Sequence, residues 1–284
     1  MAILLKLIGL YKENQISTAI APNLFLVPLV SGLVSAWFWR RWYRTAAGTA
    51  VDALWSSIVA IVGGAILLRE GVICLLMGIP IIYVMTFIGM LLGRWWFGHD
   101  STTLRSLVLP GLVLFTIGDA FHRPVAPTQV TDRIVIHASR QSVWPHVLAF
   151  PRVSDQPDYW LFRIGLPYPE ETTNGGNFVG ADRSCIFSRG IVIREAVAEF
   201  EPNRRLTFDI VEQPGDPEIY GHITLHRGQF SLTDNNDGTT VLTGSSWYTL
   251  HVRPRWYFNL WARDMTRAVH LRVMKHVRRL AERQ

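Results

Sequence analysis

Charge is what this sequence has least of. Only 18% of its 284 residues are Asp, Glu, Lys or Arg, against about a quarter in an ordinary soluble domain. The deficit is local. Residues 1–123 hold nine basic and five acidic side chains, and residues 124–284 hold nineteen and seventeen. The first stretch reads as a membrane domain and the second as a segment of ordinary soluble charge density. That split excludes a fully soluble enzyme and a disordered chain. Cysteine is nearly absent too: Cys74 and Cys185 fall in different halves, which leaves no disulfide framework. The net charge of +6 divides as +4 and +2 between the halves. It forms no basic stripe of the kind a nucleic-acid partner needs, so none is expected.

Signatures of common chemistries are also missing. No Gly-x-Ser-x-Gly elbow occurs, so a hydrolase of that class lacks its main mark. Gly175-Gly-Asn-Phe-Val-Gly180 has no following Lys-Ser/Thr and is a turn rather than a phosphate loop. Of nine histidines, His222 and His226 sit on an extended run where four residues span about 13 Å, too far to share one ion. His270 and His276 are six apart on a predicted helix, about 120° around its axis. No metal and no cofactor are expected.

What the sequence does have is long apolar runs. A helix needs about 20 apolar residues to cross a bilayer. Ala21–Trp39, Thr49–Leu68 and Gly71–Gly93 qualify, and Leu104–Phe121 is a shorter fourth run broken by Pro110. Trp37, Trp39, Trp42, Trp95 and Trp96 gather at the proposed ends as an interfacial belt would. Residues 2–11 are too short to span and suggest an interfacial helix rather than a signal peptide. Asp52, Arg69, Glu70 and Asp119 lie near span ends, where capping or pairing is the simpler role than ion conduction. Pro80 reads as a packed kink. Arg40, Arg41, Arg44, Arg94 and Arg105 would share one side, against Lys6, Lys12, Arg69 and Arg123 on the other. Five against four leans towards the first set being cytoplasmic, which puts both termini outside.

Residues 124–130 form a short Pro-containing linker, so the following domain is expected close to the membrane surface. From Thr131 the period changes. Ile134 and Ile136 alternate as in a strand, and Ser139 precedes Val143, Trp144, Val147 and Leu148 as a helix N-cap would. After a Pro-rich passage, extended runs are predicted over Asn177–Ser188, Ile191–Phe200, Arg205–Glu212, Gly221–Thr233 and Thr239–Val252. Asp237-Gly238 marks a hairpin, and one long helix follows Pro254. The fold class is therefore α+β over 131–284, behind an α-helical transmembrane domain of about four spans.

On that helix, Phe258, Trp261, Ala262, Met265, Val269, Val273 and Leu280 make one apolar stripe that Arg272 and His276 interrupt. A cation on such a face needs a partner. Arg272 either pairs with Glu195 or Glu199 on the sheet, snorkels past the rim, or meets a ligand's polar head. Arg278, Arg279 and Arg283 end the helix, where cations favour its dipole or touch anionic lipid. Cys185 alternates into a strand beside Arg183: either a small buried hydrophobe, or a thiol whose pKa the guanidinium lowers.

Ile134-Val-Ile-His-Ala-Ser139 with Val143-Trp144 resembles the opening strand and helix of the START-like (SRPBCC, polyketide cyclase-like) superfamily. Arg183–Gly190, Arg227–Phe230, Gly238–Thr240, Trp247-Tyr248 and His270–Val277 resemble a membrane-fused bacterial branch of it. The resemblance, over about residues 131–282, implies a helix-grip fold with a cavity between the sheet and the last helix. Such cavities take lipids, sterols, polyketides or hormones. It implies a multi-pass protein of the bacterial inner (plasma) membrane, with the soluble domain on the extracytoplasmic side by the charge count above. The expected ligand-binding residues are Phe258, Trp261, Met265, Arg272 and His276 on the helix, with Arg183 and Tyr248 on the sheet. Three functions stay open. One is a membrane-anchored binder of a lipid- or quinone-like molecule. A second is a cyclase- or hydratase-like enzyme using His276, Tyr248 or Glu195 as acid or base. The third is an accessory subunit of a larger membrane protein complex. Expected partners are accordingly membrane lipids, a hydrophobic small molecule, or such a complex.

Overall fold

The computed structural model describes residues 16–42, 45–68, 72–97, 126–216, 218–219 and 221–283. The chain divides into two compact units, Met1–Pro124 with Val252–Pro254, and Val125–His251 with Arg255–Gln284.

The first unit contains helices α1 (Ile16–Phe38), α2 (Ala46–Leu68) and α3 (Val72–Phe97). Ala46–Gly63 of α2 and Ile73–Phe97 of α3 are long and apolar enough to cross a membrane, while α1 offers the shorter stretch Leu24–Phe38. Two of the four expected spans therefore meet that test. The fourth, Leu104–Phe121, lies outside the described residues, as do residues 2–11, Asp119 and the Arg69–Glu70 pair. Glycine explains how α1 and α3 pack. A Cβ on Gly32 would overlap the Thr86 carbonyl oxygen, and one on Gly89 would overlap the Leu29 carbonyl oxygen. The two backbones touch directly, as small residues permit in apolar helix pairs. Ser35, Ser57 and Thr86 return their hydroxyls to the carbonyl four residues back, so these polar groups are satisfied within their own helices.

The second unit is a seven-stranded antiparallel sheet with helices laid on it. Its strands are β1 (Thr128–Ile136), β2 (Pro169–Asn174), β3 (Asp182–Phe187), β4 (Ile191–Glu201), β5 (Arg205–Glu212), β6 (Ile223–Asp234) and β7 (Thr240–Leu250). Their order is β1-β7-β6-β5-β4-β3-β2, so a plain meander runs from β2 to β7 and the first strand closes onto the last. Helices α4 (Arg140–Leu148) and α5 (Trp160–Arg163) separate β1 from β2, and α6 (Arg255–Ala281) ends the chain. The Ser139 hydroxyl caps α4 by accepting the Ser142 N–H at 3.3 Å. Gly238, at φ 83°, and Asn236, at φ 60°, supply the left-handed residues of the β6–β7 turn. The Pro-rich passage corrects one expectation. Its end is the edge strand β2, where a missing proline N–H costs no ladder bond, and residues 177–181 precede β3 rather than belong to it.

The core lies between sheet and helices: Ile136, Val143, Val147, Leu206, Leu242, Met274 and Val277 are almost fully buried. Each such side chain contributes about 1.5–3 kcal/mol on leaving water. On α6 the buried face runs through Phe258, Ala262, His270, Val273, Met274, His276, Val277 and Ala281. It is turned from the predicted stripe, so Trp261, Met265 and Leu280 are only half-buried and His270 lies inside.

Candidate functional site

Between the sheet and α6 lies a cavity of about 210 Å³, walled by apolar side chains that include Phe150, Ile193, Phe208, Phe230, Met265 and Val269. Its polar lining includes Arg183 with Glu195 and Ser246 with His270, and also Glu218, Arg227 and Thr266. Such a make-up, apolar walls with a few convergent polar groups, is that of a small-molecule site.

The first of these groups is built by the β3–β4 register, which sets Arg183 opposite Glu195. The two side chains are 3% and 5% exposed and form an ion pair. The guanidinium also donates from Nε to the Leu148 carbonyl at 3.4 Å and stacks on the Phe208 ring with its carbon 4.4 Å from the centroid. Burial pushes the Glu195 carboxyl above its ordinary pKa, and Arg183 opposes that shift. Cys185 also lines the cavity, and Thr172 donates to its sulfur at 3.7 Å. The thiol is pushed up to about 12, by burial first and by Glu195 next, with Arg183 acting the other way. Cys185 is thus a small half-buried side chain of the cavity wall and not an activated thiolate.

The second group is Ser246 and His270. Ser246 is on β7 and His270 on α6; their Oγ and Nε2 are 2.8 Å apart. The remaining ring nitrogen, Nδ1, is 2.9 Å from Oδ2 of Asp132 on β1. Burial lowers the His270 pKa, and Asp132 opposes this.

The seven predicted site residues separate in space. Arg183 and Met265 line the cavity; Phe258, Trp261, Tyr248, Arg272 and His276 do not. Tyr248 is fully buried and donates its hydroxyl to Asn259 Oδ1 at 2.8 Å, and burial raises its pKa. Phe258 is buried beside Tyr257, while Trp261 meets Trp160 edge-on at 6.5 Å. His276 donates from Nε2 to the Pro151 carbonyl at 3.2 Å and packs on Phe150; burial lowers its pKa. Arg272 pairs with neither expected carboxylate, since Glu195 is held by Arg183 and Glu199 accepts from Thr207. It donates instead to the Pro169 and Asp155 carbonyls, both at 3.0 Å, and lies over the Tyr168 ring at 4.6 Å. Those contacts place it in a surface groove between α6 and residues 153–162. In the sequence His270 stands out as a candidate metal ligand and within the His270–Val277 resemblance, and nothing marks Asp132 or Ser246. No spacing rule joins three residues from β1, β7 and α6.

An antiparallel sheet of this order, closed by a long C-terminal helix over an apolar cavity, has the helix-grip fold. No protein-family model and no curated protein matches the sequence. Solved structures do. XoxI from Bacillus cereus is 19% identical, with 54% of this chain and 94% of that one covered, at a TM-score of 0.38. A truncated norcoclaurine synthase from Thalictrum flavum is 11% identical over 57% and 99%, at 0.39. The di-domain ARO/CYC StfQ of the steffimycin biosynthetic pathway is 14% identical over 63% and 60%, at 0.40.

Proposed function

We propose that this protein binds a hydrophobic or amphipathic small molecule, lipid- or quinone-like, in the helix-grip cavity, and that its N-terminal helices anchor it in a membrane. The observation that carries the reading is the apolar cavity with the Arg183–Glu195 pair in its wall. An apolar ligand body lies against Phe208, Phe230 and Met265, and its polar group meets Arg183. Arg272 and His276 act from outside the cavity, holding the segment that borders it.

The anchoring reading is supported by α2, whose Val51, Leu54, Trp55, Val59 and Val62 face outward, Val59 at 70% exposure. An apolar face of that size is costly in water and is covered by lipid in a bilayer. Four spans in a bacterial plasma membrane, with the second unit outside the cytoplasm, complete the reading. A reporter fused after Gln284 that works only in the cytoplasm stays silent on this topology, and its activity overturns it.

The binding test is mass spectrometry of small molecules retained by the full chain after gentle detergent extraction. Met265→Trp adds bulk at the cavity wall without breaking an ion pair, and should lower retention about tenfold or more. A chain that carries no small molecule and takes up no apolar fluorescent probe overturns the proposal.

A further inference from the structure

We propose that Asp132, His270 and Ser246 form a nucleophilic relay in the wall of this cavity, and that Ser246 takes the acyl group of an apolar carboxylic ester. The inference rests on the reading that the cavity admits an apolar molecule, and adds a substrate class and a reaction to it.

Hydrogen-bond valence sets the direction of the relay. The Asp132 carboxylate only accepts, so His270 carries its proton on Nδ1, 2.9 Å away. Nε2 is then an acceptor and takes the Ser246 hydroxyl proton across 2.8 Å. The serine oxygen is left with lone pairs and no proton to offer towards the cavity that it lines. A nucleophile held by a base that a carboxylate orients is the arrangement that activates serine, and it is recognised by geometry and not by sequence order. His270 is 5% exposed. Burial favours its neutral form, the one a general base needs. Arg267 Nε lies 3.4 Å from the second Asp132 oxygen, so both oxygens of that carboxylate have a partner.

The surroundings fit an ester with an apolar acyl part. Strand β6 places Gly228 opposite Ser246, and the Phe208 ring occupies the space that a Gly228 side chain would take. The wall next to the nucleophile therefore includes the Phe208 aromatic face, the ring on which the Arg183 guanidinium stacks. About 210 Å³ exceeds the roughly 150 Å³ that holds one benzene, so a medium acyl chain or an aryl acyl group fits.

In the acylation step the Ser246 Oγ–carbonyl carbon bond forms and the carbon–alkoxy bond breaks, and the serine proton passes through His270 Nε2 to the departing alkoxide. Water then attacks the acyl carbon, gives its proton to Nε2, and the carboxylic acid leaves as Ser246 regains a proton. Ser246 sits on a central strand paired on both sides, with Val130 and Gly228. Its backbone N–H belongs to the ladder and is not offered to the oxyanion, so the acylation is slow. Loss of one oxyanion donor alone costs about 10²–10³ in rate.

The test treats the full detergent-extracted chain with a fluorophosphonate and maps the adduct by peptide mass spectrometry. In this reaction the serine oxygen displaces fluoride from phosphorus. Ser246 should carry the adduct. Asp132→Asn and His270→Gln should each slow its formation at least about tenfold, and Ser246→Ala should abolish it. Hydrolysis of 4-nitrophenyl hexanoate should follow the same order. Uptake of an apolar fluorescent probe is read on every variant, and reports the cavity separately. Ser246 left unmodified in a chain that binds the probe overturns the relay and spares the binding proposal; so does labelling that both relay substitutions leave unchanged. A chain that binds no probe and is not labelled overturns both.

Discussion

Arg183 and Glu195 face each other across strands β3 and β4 with almost no solvent at either side chain. Water does not solvate the guanidinium, so the carboxylate, the Leu148 carbonyl and the Phe208 face do. Removing one partner of such a pair costs about 3–5 kcal/mol, because the other charge stays buried alone. Glu195→Gln should therefore lower the unfolding free energy of the second unit by that order. Arg183→Met with Glu195→Leu should cost less than Glu195→Gln alone. Denaturant titration followed by tryptophan fluorescence measures both.

Stability should fall on acidification. His270 and His276 have pKa values lowered by burial. The unfolded chain, with imidazoles near 6.5, therefore binds more protons than the folded one. Their contribution is fully present above about pH 6.5 and is lost as pH falls through the lower folded values. The charged groups that set it are Asp132 and Arg267 around His270, and Asp155, Arg272 and Arg279 around His276. The thermal midpoint should be flat from pH 7 to 8 and drop between pH 6.5 and 5. A midpoint unchanged down to pH 5 would contradict these burials.

Arg272 should behave as a clamp. It ties α6 to the Asp155 and Pro169 carbonyls, and the side chain is half-buried. Arg272→Met should destabilise by about 1–2 kcal/mol, towards the low end for hydrogen bonds to a charged group because solvent reaches it. Limited proteolysis should then cut faster within residues 152–168, while apolar probe uptake by the cavity stays the same.

Close helix contact in the first unit depends on the missing side chain at Gly89. Gly89→Leu forces a side chain into the Leu29 carbonyl of α1, and overpacking of this kind costs about 1–3 kcal/mol or more. Gly63→Ala meets no atom within 4 Å and should be neutral. Size-exclusion profiles and melting in detergent distinguish the two.

Much of the fold is legible in the residue order. The apolar runs, the Ser139 cap, the Asp237-Gly238 turn and the long final helix are all read from residues within a few positions of one another. The edge strand β2 is not, because Pro169 and the bulge after it break the alternation that marks a strand. The stripe that periodicity selects on α6 shares Phe258, Ala262 and Val273 with the buried face and is turned from it elsewhere. Period alone chooses a stripe, and it passes over His270, polar by type, although Asp132 and Ser246 satisfy that ring in the interior.

The sequence by itself determined the division into an apolar helical half and a charged α+β half, because run length and period are local and survive without partners. Only the tertiary structure decided which polar groups share a cavity. Asp132 reaches His270 across 138 residues, which required the first strand to close onto the last. Arg183 chose Glu195 over every other carboxylate because one strand register set them opposite. Arg272 ended on two backbone carbonyls, acceptors that every residue carries and no sequence pattern can mark.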